Sequence, residues 1–237
     1  MAHRKALYDD KEEGYFSFPR LDLLEMLPPG GGLSVLELGA GRGATLREAK
    51  RLGLAAYTVG IDLVEPTPAG ASDDPCAPDR FLCGNVEDPG AGLAETLVEA
   101  SFDAVVCADV LEHLVDPWST VRTLARFLKP GGLFLSSIPN VRNHRLLRPI
   151  LLHGDFRYEE AGLSDRTHLR FFCRKNVRDL FEGAGLVIDE IAENMGGYGR
   201  HHRLLDRLTL GLLHEFFVFQ YRTKARRPPA AERGASA

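Results

Sequence analysis

Glu37 stands two residues ahead of alternating glycines, Gly39, Gly41 and Gly43, at the end of the apolar run Leu33 to Leu38. A carboxylate that ends a buried strand is costly unless a cation meets it. The glycines admit positive φ angles and close backbone approach, and from Ala44 a helical pattern (Leu46, Ala49, Leu52) brings helix N–H groups to the same place. Gly39, Gly41 and Ala44 also satisfy G-x-G-x-x-G/A, with Asp62 at the distance of a ribose-binding acid. A dinucleotide diphosphate would be repelled by Glu37; the ammonium group of an amino-acid moiety would pair with it. A tight turn that binds nothing is the third reading. Farther along, His168 follows Asp165 by three residues and His113 lies upstream. An imidazole near neutral pKa suits removal of a proton from an attacking hydroxyl or amine, with Asp165 as an orienting carboxylate. The competing reading pairs Asp165 with Arg166 or Arg170 and leaves His168 to local hydrogen bonds.

The frame that must position these groups reads as one α/β domain. At 237 residues, 44% hydrophobic and 26% charged, the chain can bury a substantial core and carry a small inserted cap. A formal charge of −4 gives no broad electrostatic reason to bind nucleic acid. Cys76, Cys83, Cys107 and Cys173 show no C-x-x-C spacing, and Cys83 and Cys107 fall inside apolar runs and read as core thiols. The charged opening to Glu13 is no signal peptide, and no apolar run is long enough for a bilayer, so the expected location is the cytoplasm, away from membranes.

Strands are expected at Leu33–Leu38, Ala56–Ile61, Phe81–Cys83, Phe102–Cys107, Leu133–Ile138, Leu186–Ile191 and Phe216–Tyr221. Helices are expected from Pro19 to Leu27 with the stripe Leu21, Leu24, Leu27, from Ala44, over Trp118–Leu128, over Lys175–Glu182 and over Arg200–His214. The leucines of that last helix are to pack on the domain or on a partner chain, which leaves a homodimer open. Residues 66–78 are too rich in proline for an ordinary helix. Residues 1–14 read as a flexible N-terminus, 15–225 as the domain with an insertion at 139–173, and 226–237 as a disordered tail.

E-x-G-x-G-x-G at 37–43, D-V-L-E-H at 109–113 and L-K-P-G-G at 128–132 make the chain resemble the class I S-adenosylmethionine-dependent methyltransferases, from Leu33 to about Lys224. The resemblance implies a doubly wound, Rossmann-like seven-stranded sheet of order 3-2-1-4-5-7-6 with the last strand antiparallel. It also implies S-adenosylmethionine as cofactor, held by Glu37, Gly39, Ala40, Gly41, Gly43, Asp62, Leu63, Asn85, Val86, Ala108, Asp109 and His113. Two departures stand out. No helix fits between the second and third strands, and Asn85 stands where the family commonly has an aspartate facing adenine; its amide oxygen can still accept, or the loop is a plain turn. Asp109 reads as a helix N-cap, as a cleft residue, or as both. Tyr15 or Arg20 either reaches the methionine end or serves packing and surface charge.

The insertion alternates charged and aromatic residues too densely for an inert linker and reads as a lid or helical cap. Its D-R-T-H-L-R-F-F at 165–172 is similar to bacterial methyltransferases of polysaccharide and secondary-metabolite pathways, which implies a small-molecule, often sugar-related, oxygen or nitrogen acceptor. His168, Asp165 and His113 are the catalytic candidates; Asn140, Arg142, His144, Tyr158, Arg166, His168 and Arg170 are the acceptor-pocket candidates, with Asn143 behind them. No metal set is assigned, since the histidines and acids show no ligand spacing. After the fourth strand there is neither N-P-P-Y nor Pro-Cys, which disfavours nucleic-acid methylation. An NAD(P)-dependent oxidoreductase using the same turn and a non-catalytic protein of this fold are the rivals.

Overall fold

The computed structural model describes residues 18–64, 74–88, 96–197 and 200–229. The expectations for residues 1–14, for Tyr15 and Phe16, for most of the proline-rich stretch and for 230–237 lie outside these. Seven strands form one sheet: β1 (Leu33–Leu38), β2 (Ala55–Asp62), β3 (Arg80–Cys83), β4 (Phe102–Ala108), β5 (Leu128–Pro139), β6 (Val187–Asn194) and β7 (Gln220–Arg226). Their order is β3-β2-β1-β4-β5-β7-β6, and β7 runs antiparallel to both neighbours, as the resemblance implies. The helices are α1 (Leu21–Leu24), α2 (Ala44–Arg51), α3 (Pro117–Phe127), α4 (His144–His153), α5 (Arg174–Glu182) and α6 (Arg200–Leu208).

Successive residues of the central strands feed two cores. Leu36, Val105 and Phe134 belong to the core that also holds Leu124 of α3 and Phe181 of α5. Their neighbours Val35, Val106 and Leu135 belong to the core with Leu23 and Leu24 of α1 and Leu46 and Ala49 of α2. Burial on both faces is why these strands read as unbroken apolar runs. It also places the carboxyl ends of β1, β2 and β4 side by side, where a doubly wound sheet binds its ligands. Glu37 sits between Gly60 of β2 and Val106 of β4. A Cβ on Gly60 would lie 2.9 Å from the Phe81 ring and 3.0 Å from the Ala40 Cβ, so glycine lets β3 and the loop after β1 close over this point.

Several boundaries differ from the sequence reading. α1 is only four residues and continues as tighter turns to Leu27; Leu23, Leu24 and Leu27 are buried while Leu21 is exposed. β5 starts directly after α3, so Lys129 to Gly132 belong to the strand, with Lys129 paired to Asp103. Cys83 is exposed near the end of the edge strand β3, not a core thiol, whereas Cys107 is buried. The last strand lies four residues later than expected, and His214–Phe216 is a 3-10 turn instead. The bounds of β7 were misplaced because its partly exposed positions are basic: Arg222 faces Asp22, Lys224 reaches the Met26 carbonyl and Arg226 pairs with Asp189. Arg227 exchanges backbone hydrogen bonds with Gly131 and Gly132, so the tail does not begin at 226. The last helix, α6, is shorter than expected, and its Leu204, Leu205 and Leu208, like Leu212 beyond it, are exposed. Among the described residues no helix is long and apolar enough to cross a membrane.

The insertion is closed at its base, where Asn140 bridges Phe172 and the Val141 N–H donates to the Phe172 carbonyl. The Asn140 amide, fully buried, donates to the Glu215 and Val218 carbonyls and accepts from the Arg142 N–H. Asn140→Ala orphans the Glu215 carbonyl and the Arg142 N–H and is expected to cost about 2–3 kcal/mol, read by urea unfolding, with S-adenosylhomocysteine affinity within about twofold of wild type.

Candidate active site

Glu37 is 3% exposed and its Oε2 has no hydrogen-bond partner. Burial pushes its carboxyl up to about 8; the Thr45 hydroxyl bonds it and opposes the shift, while the nearby Asp62 charge adds to it. An orphaned carboxyl oxygen at the head of a glycine loop is the feature that the ammonium group of an amino acid would complete. The loop itself gives little to a diphosphate. The Gly39 and Ala40 N–H groups donate to the Ile61 carbonyl, Gly43 donates to the Ala40 carbonyl, and Gly41 donates to Asp62 Oδ2 at 2.7 Å. Gly39, Gly41 and Gly43 all have positive φ, and a Cβ on Gly39 would lie 2.2 Å from Val110 Cγ2. Gly39 thus lets the segment after β4 close against the loop, bringing Asp109 to His113 alongside Glu37.

Asp62 at the end of β2 accepts the Gly41 N–H on one oxygen and the Val64 N–H at 3.1 Å on the other. Each oxygen keeps a lone pair, so bidentate acceptance of two ribose hydroxyls is compatible with its role in shaping the loop. Leu63 follows it, its carbonyl 3.5 Å from the Cys83 thiol. Asn85 folds as the plain turn, its Oδ1 accepting the Glu87 N–H at 3.0 Å and leaving one lone pair outward. Val86 packs on the core, and Glu87 caps the Val115 and Asp116 N–H groups.

Asp109 does not cap a helix. It has a left-handed φ of 53°, and the turn after it is a 3-10 helix, Leu111–His113, with Val110 at its cap position. The Asp109 carboxylate accepts from Arg20, from Gln220 and from the Ser137 hydroxyl. Arg20 also donates to Ser137 and bonds Asp22, so it draws the chain before α1 across the carboxyl ends of β4 and β5. Burial raises the Asp109 pKa, against which the Arg20 charge works. Ser137 and Gln220 lie on β5 and β7, and their sequence contexts carried no signal for this role.

The insertion delivers His168 to Glu112. The Leu169 and Arg170 N–H groups donate to the Glu112 carbonyl at 2.8 and 2.9 Å. His168, 5% exposed, places Nε2 3.9 Å from Glu112 Oε1, and its ring meets that of His113 edge-on at 4.7 Å. Glu112 is fully buried with neither carboxyl oxygen hydrogen-bonded; burial first, then the Asp109 charge, pushes its pKa far up. Asp165 Oδ1 accepts both the N–H and the hydroxyl of Thr167, at 2.8 and 2.6 Å. With that hydroxyl donating to Asp165, its oxygen and the Thr167 carbonyl, 3.0 and 3.1 Å from His113 Nδ1, are both acceptors. That assigns the proton of His113 to Nδ1 and the lone pair to Nε2.

Asp165 therefore works through Thr167 on His113. Of the arginines expected to pair with Asp165, Arg166 meets Glu160, and Arg170 donates to the Val115 carbonyl over the Trp118 ring. Of the acceptor-pocket candidates, Asn140 is structural. Arg142, paired with Glu215 over the Phe216 ring, and His144, bonded to the Phe216 carbonyl, form a separate group. Tyr158 is exposed against Phe156, and Asn143 caps α4. His168 alone of the pocket candidates joins His113. Glu112 and Thr167 were missed in the sequence because a glutamate and a threonine carry no signal until the fold buries them.

Sheet order, with the orphaned carboxyl of Glu37 and Asp62 at the carboxyl ends of β1 and β2, defines a doubly wound α/β protein with its cleft at the strand ends where such sheets bind ligands. Residues 12–191 match the family described as "Methyltransferase domain", and the chain belongs to it. It is 37% identical over 176 residues to the ubiquinone biosynthesis O-methyltransferase of Chromobacterium violaceum, covering 73% of this chain and 72% of that protein. It is similar in fold to an S-adenosylmethionine-dependent methyltransferase from Mesorhizobium loti (TM-score 0.59, 22% identity, 87% and 96% of the two chains). A second fold neighbour is the Burkholderia thailandensis 1,6-didemethyltoxoflavin-N1-methyltransferase, determined with S-adenosylhomocysteine (TM-score 0.56, 18% identity, 87% and 77%). The chain is an S-adenosylmethionine-dependent methyltransferase.

Between its ordinary value of 4.5 and about 8, the Glu37 carboxyl keeps a proton in the folded chain that the unfolded chain has lost, so ligand-free stability falls as pH rises through that window. Glu37→Gln is expected to flatten this decline in melting scans from pH 5 to 8 while weakening S-adenosylhomocysteine binding by about 10- to 100-fold. In wild type at pH 7, binding is expected to release a proton as Glu37 ionises, measured by calorimetry in buffers of different ionisation enthalpy.

Proposed function

We propose that the chain transfers a methyl group to a hydroxyl oxygen of a small molecule, and that the acceptor oxygen lies at Glu112, His113 and His168, beside the cofactor cleft. The single observation that carries this reading is that cluster: two imidazoles and a carboxylate, largely out of water, on the segment that runs on from the cofactor-facing end of β4. Glu37, Asp109 and Glu112 are close enough that all three act on the buried Cys107 thiol. We propose cofactor contacts at Glu37 for the ammonium, at Asp62 for the ribose, and at the loop Gly39 to Gly43 for close approach, with Asn85 and Val86 at the adenine side. Ala108, Asp109 and Arg20 close the methionine end.

S-adenosylmethionine, when bound, supplies a methyl already activated by the sulfonium, so the chain's work is alignment and handling of the acceptor's proton. An amine needs little help once neutral, whereas a hydroxyl must lose its proton at or before attack. Two imidazoles sheltered from water at this point fit the hydroxyl. The O-methyltransferase name of the curated relatives supports oxygen too, and gives no support to the sugar-related acceptor that the D-R-T-H-L-R-F-F likeness implies. The reading therefore takes phenolic and other acidic hydroxyls ahead of sugar hydroxyls, because they demand less of the base. The insertion, folded back on Glu112, acts as the acceptor-side lid.

The protein, incubated with S-adenosylmethionine and a panel of phenols, sugars and amines, is expected to give O-methyl ethers by mass spectrometry; methylation of amines alone would overturn the oxygen assignment. His168→Ala is expected to lower turnover by roughly 10² or more with S-adenosylhomocysteine affinity nearly unchanged. Titration with NAD is expected to give no saturable binding.

A further inference from the structure

Glu87, in the loop after β3, and Arg170, in the insertion, close on one peptide unit from opposite sides. The loop hangs from the end of β2, where the Gly84 N–H donates to the Asp62 carbonyl at 2.8 Å. Asn85 Oδ1 accepts the Glu87 N–H, so Asn85 and Glu87 turn as one piece. The Glu87 carboxylate accepts the Val115 N–H at 3.1 Å on one oxygen and the Asp116 N–H at 2.7 Å on the other. The carbonyl of that Val115–Asp116 peptide accepts Arg170 Nε at 3.0 Å and also Nη2, and the guanidinium carbon stands 5.8 Å from the centroid of the Trp118 ring. A peptide with a carboxylate at its N–H and a guanidinium at its C=O is polarised so that each bond strengthens the other. Local needs of the fold do not account for this clamp. Asp116 caps α3 with its own side chain, which accepts the Ser119 N–H at 3.0 Å. Val115 is half exposed, so little apolar burial holds the link at this point. Charged side chains this near solvent contribute little to stability, and what they fix is position.

We propose that the Val115–Asp116 peptide couples cofactor occupancy to docking of the insertion, with Glu87 and Arg170 as positioning residues for methyl transfer. A cofactor that fixes Asp62 and Asn85 fixes the loop on which Glu87 stands. Glu87 then holds the peptide where its carbonyl receives Arg170. Arg170 carries the neighbouring docking bonds with it, since its own N–H and that of Leu169 donate to one backbone carbonyl at 2.9 and 2.8 Å. His168 immediately precedes Leu169, so its ring is placed by the same bonds. The inference rests on the reading above for one point only, that the adenosine lies at Asp62 and Asn85. Coupling of this kind is reciprocal: the factor by which cofactor favours docking is the factor by which docking favours cofactor. Arg170, which is given no cofactor contact, is thereby expected to alter cofactor affinity.

The full chain is titrated with S-adenosylhomocysteine by calorimetry and by the emission of Trp118, its one tryptophan, and backbone hydrogen exchange is followed by mass spectrometry with and without the ligand. In wild type, saturation is expected to shift the Trp118 emission and to slow exchange about threefold or more both at residues 84–88 and at 166–171. Arg170→Ala is expected to weaken S-adenosylhomocysteine affinity by about 5-fold or more, and Arg170→Lys, which keeps the charge and a donor, to recover part of the loss. Glu87→Ala is expected to keep the protection at 84–88 while losing the response at 166–171 and at Trp118, even with ligand saturating. In the Glu87→Ala background the penalty of Arg170→Ala is expected to shrink to within about twofold. A merely structural role would lower the melting temperature of Glu87→Ala and leave the response of the saturated protein in place. Protection at 84–88 with no response at 166–171 in wild type, or an undiminished response there in Glu87→Ala, would overturn the coupling and leave the cofactor placement standing. Binding of S-adenosylhomocysteine that leaves 84–88 unprotected would fail the placement itself, and the route through Glu87 with it.

Discussion

The site is organised by the cost of keeping carboxylates out of water. Glu37 and Glu112 are both buried, and each has at least one oxygen without a partner. Such groups oppose folding unless they hold a proton or meet a cation, and each unmet group costs of order 1–3 kcal/mol or more. Two strongly raised carboxyl groups, one near the end of β1 and one in the turn after the adjacent strand β4, are hard to account for as packing. A buried methyl-bearing side chain at either place would give a more stable apo protein. The cost is intelligible if each carboxylate is completed by something that arrives from outside.

The surrounding elements make sense as the means of holding these charges in place. Asp62 shapes the glycine loop by accepting the Gly41 N–H, and the loop in turn packs Gly39 on Val110. Val110 follows Asp109, whose left-handed φ is stabilised by Arg20, Ser137 and Gln220 from three separate parts of the chain. A non-glycine residue in that region costs of order 1 kcal/mol, and the cost is borne at the point where the strand must turn sharply to present Glu112 and His113. The ion pair of Arg20 with Asp109 thus does more than fasten α1. It sets the direction of the chain between β4 and the turn that carries Glu112 and His113.

How much of this could be read in the sequence follows the same physics. The apolar strands, the glycine turn and the positions of Glu37 and Asp62 were legible because each is a local pattern: an unbroken run, a spacing, an acid at a strand end. The last strand was legible as an antiparallel strand but not in its bounds, since the alternation of Thr223 and Ala225 with Arg222, Lys224 and Arg226 hides a buried face until Asp22 and Asp189 are seen across from the arginines. Asp109 read as a cap because an acid before a helical turn usually is one; three distant partners decided otherwise. His168 was picked out for its chemistry and Asp165 for its nearness in sequence, but the buried Glu112 beside the His168 ring was not foreseen. Asp165 is close in sequence and acts on His113 through Thr167, whereas Glu112 is 56 positions away and stands 3.9 Å from the His168 ring.

The meeting of His168 with Glu112 shows what a long insertion can do that a strand end cannot. β4 places Glu112 and His113 with the rigidity of the central sheet, but it can offer only consecutive residues, which point in different directions from a 3-10 turn. A third group converging on the same point has to come from elsewhere in the chain. The insertion supplies it by anchoring its own backbone to the Glu112 carbonyl, so the bonds that dock the segment also bring the His168 side chain into reach. Docking and completion of the cluster are one event.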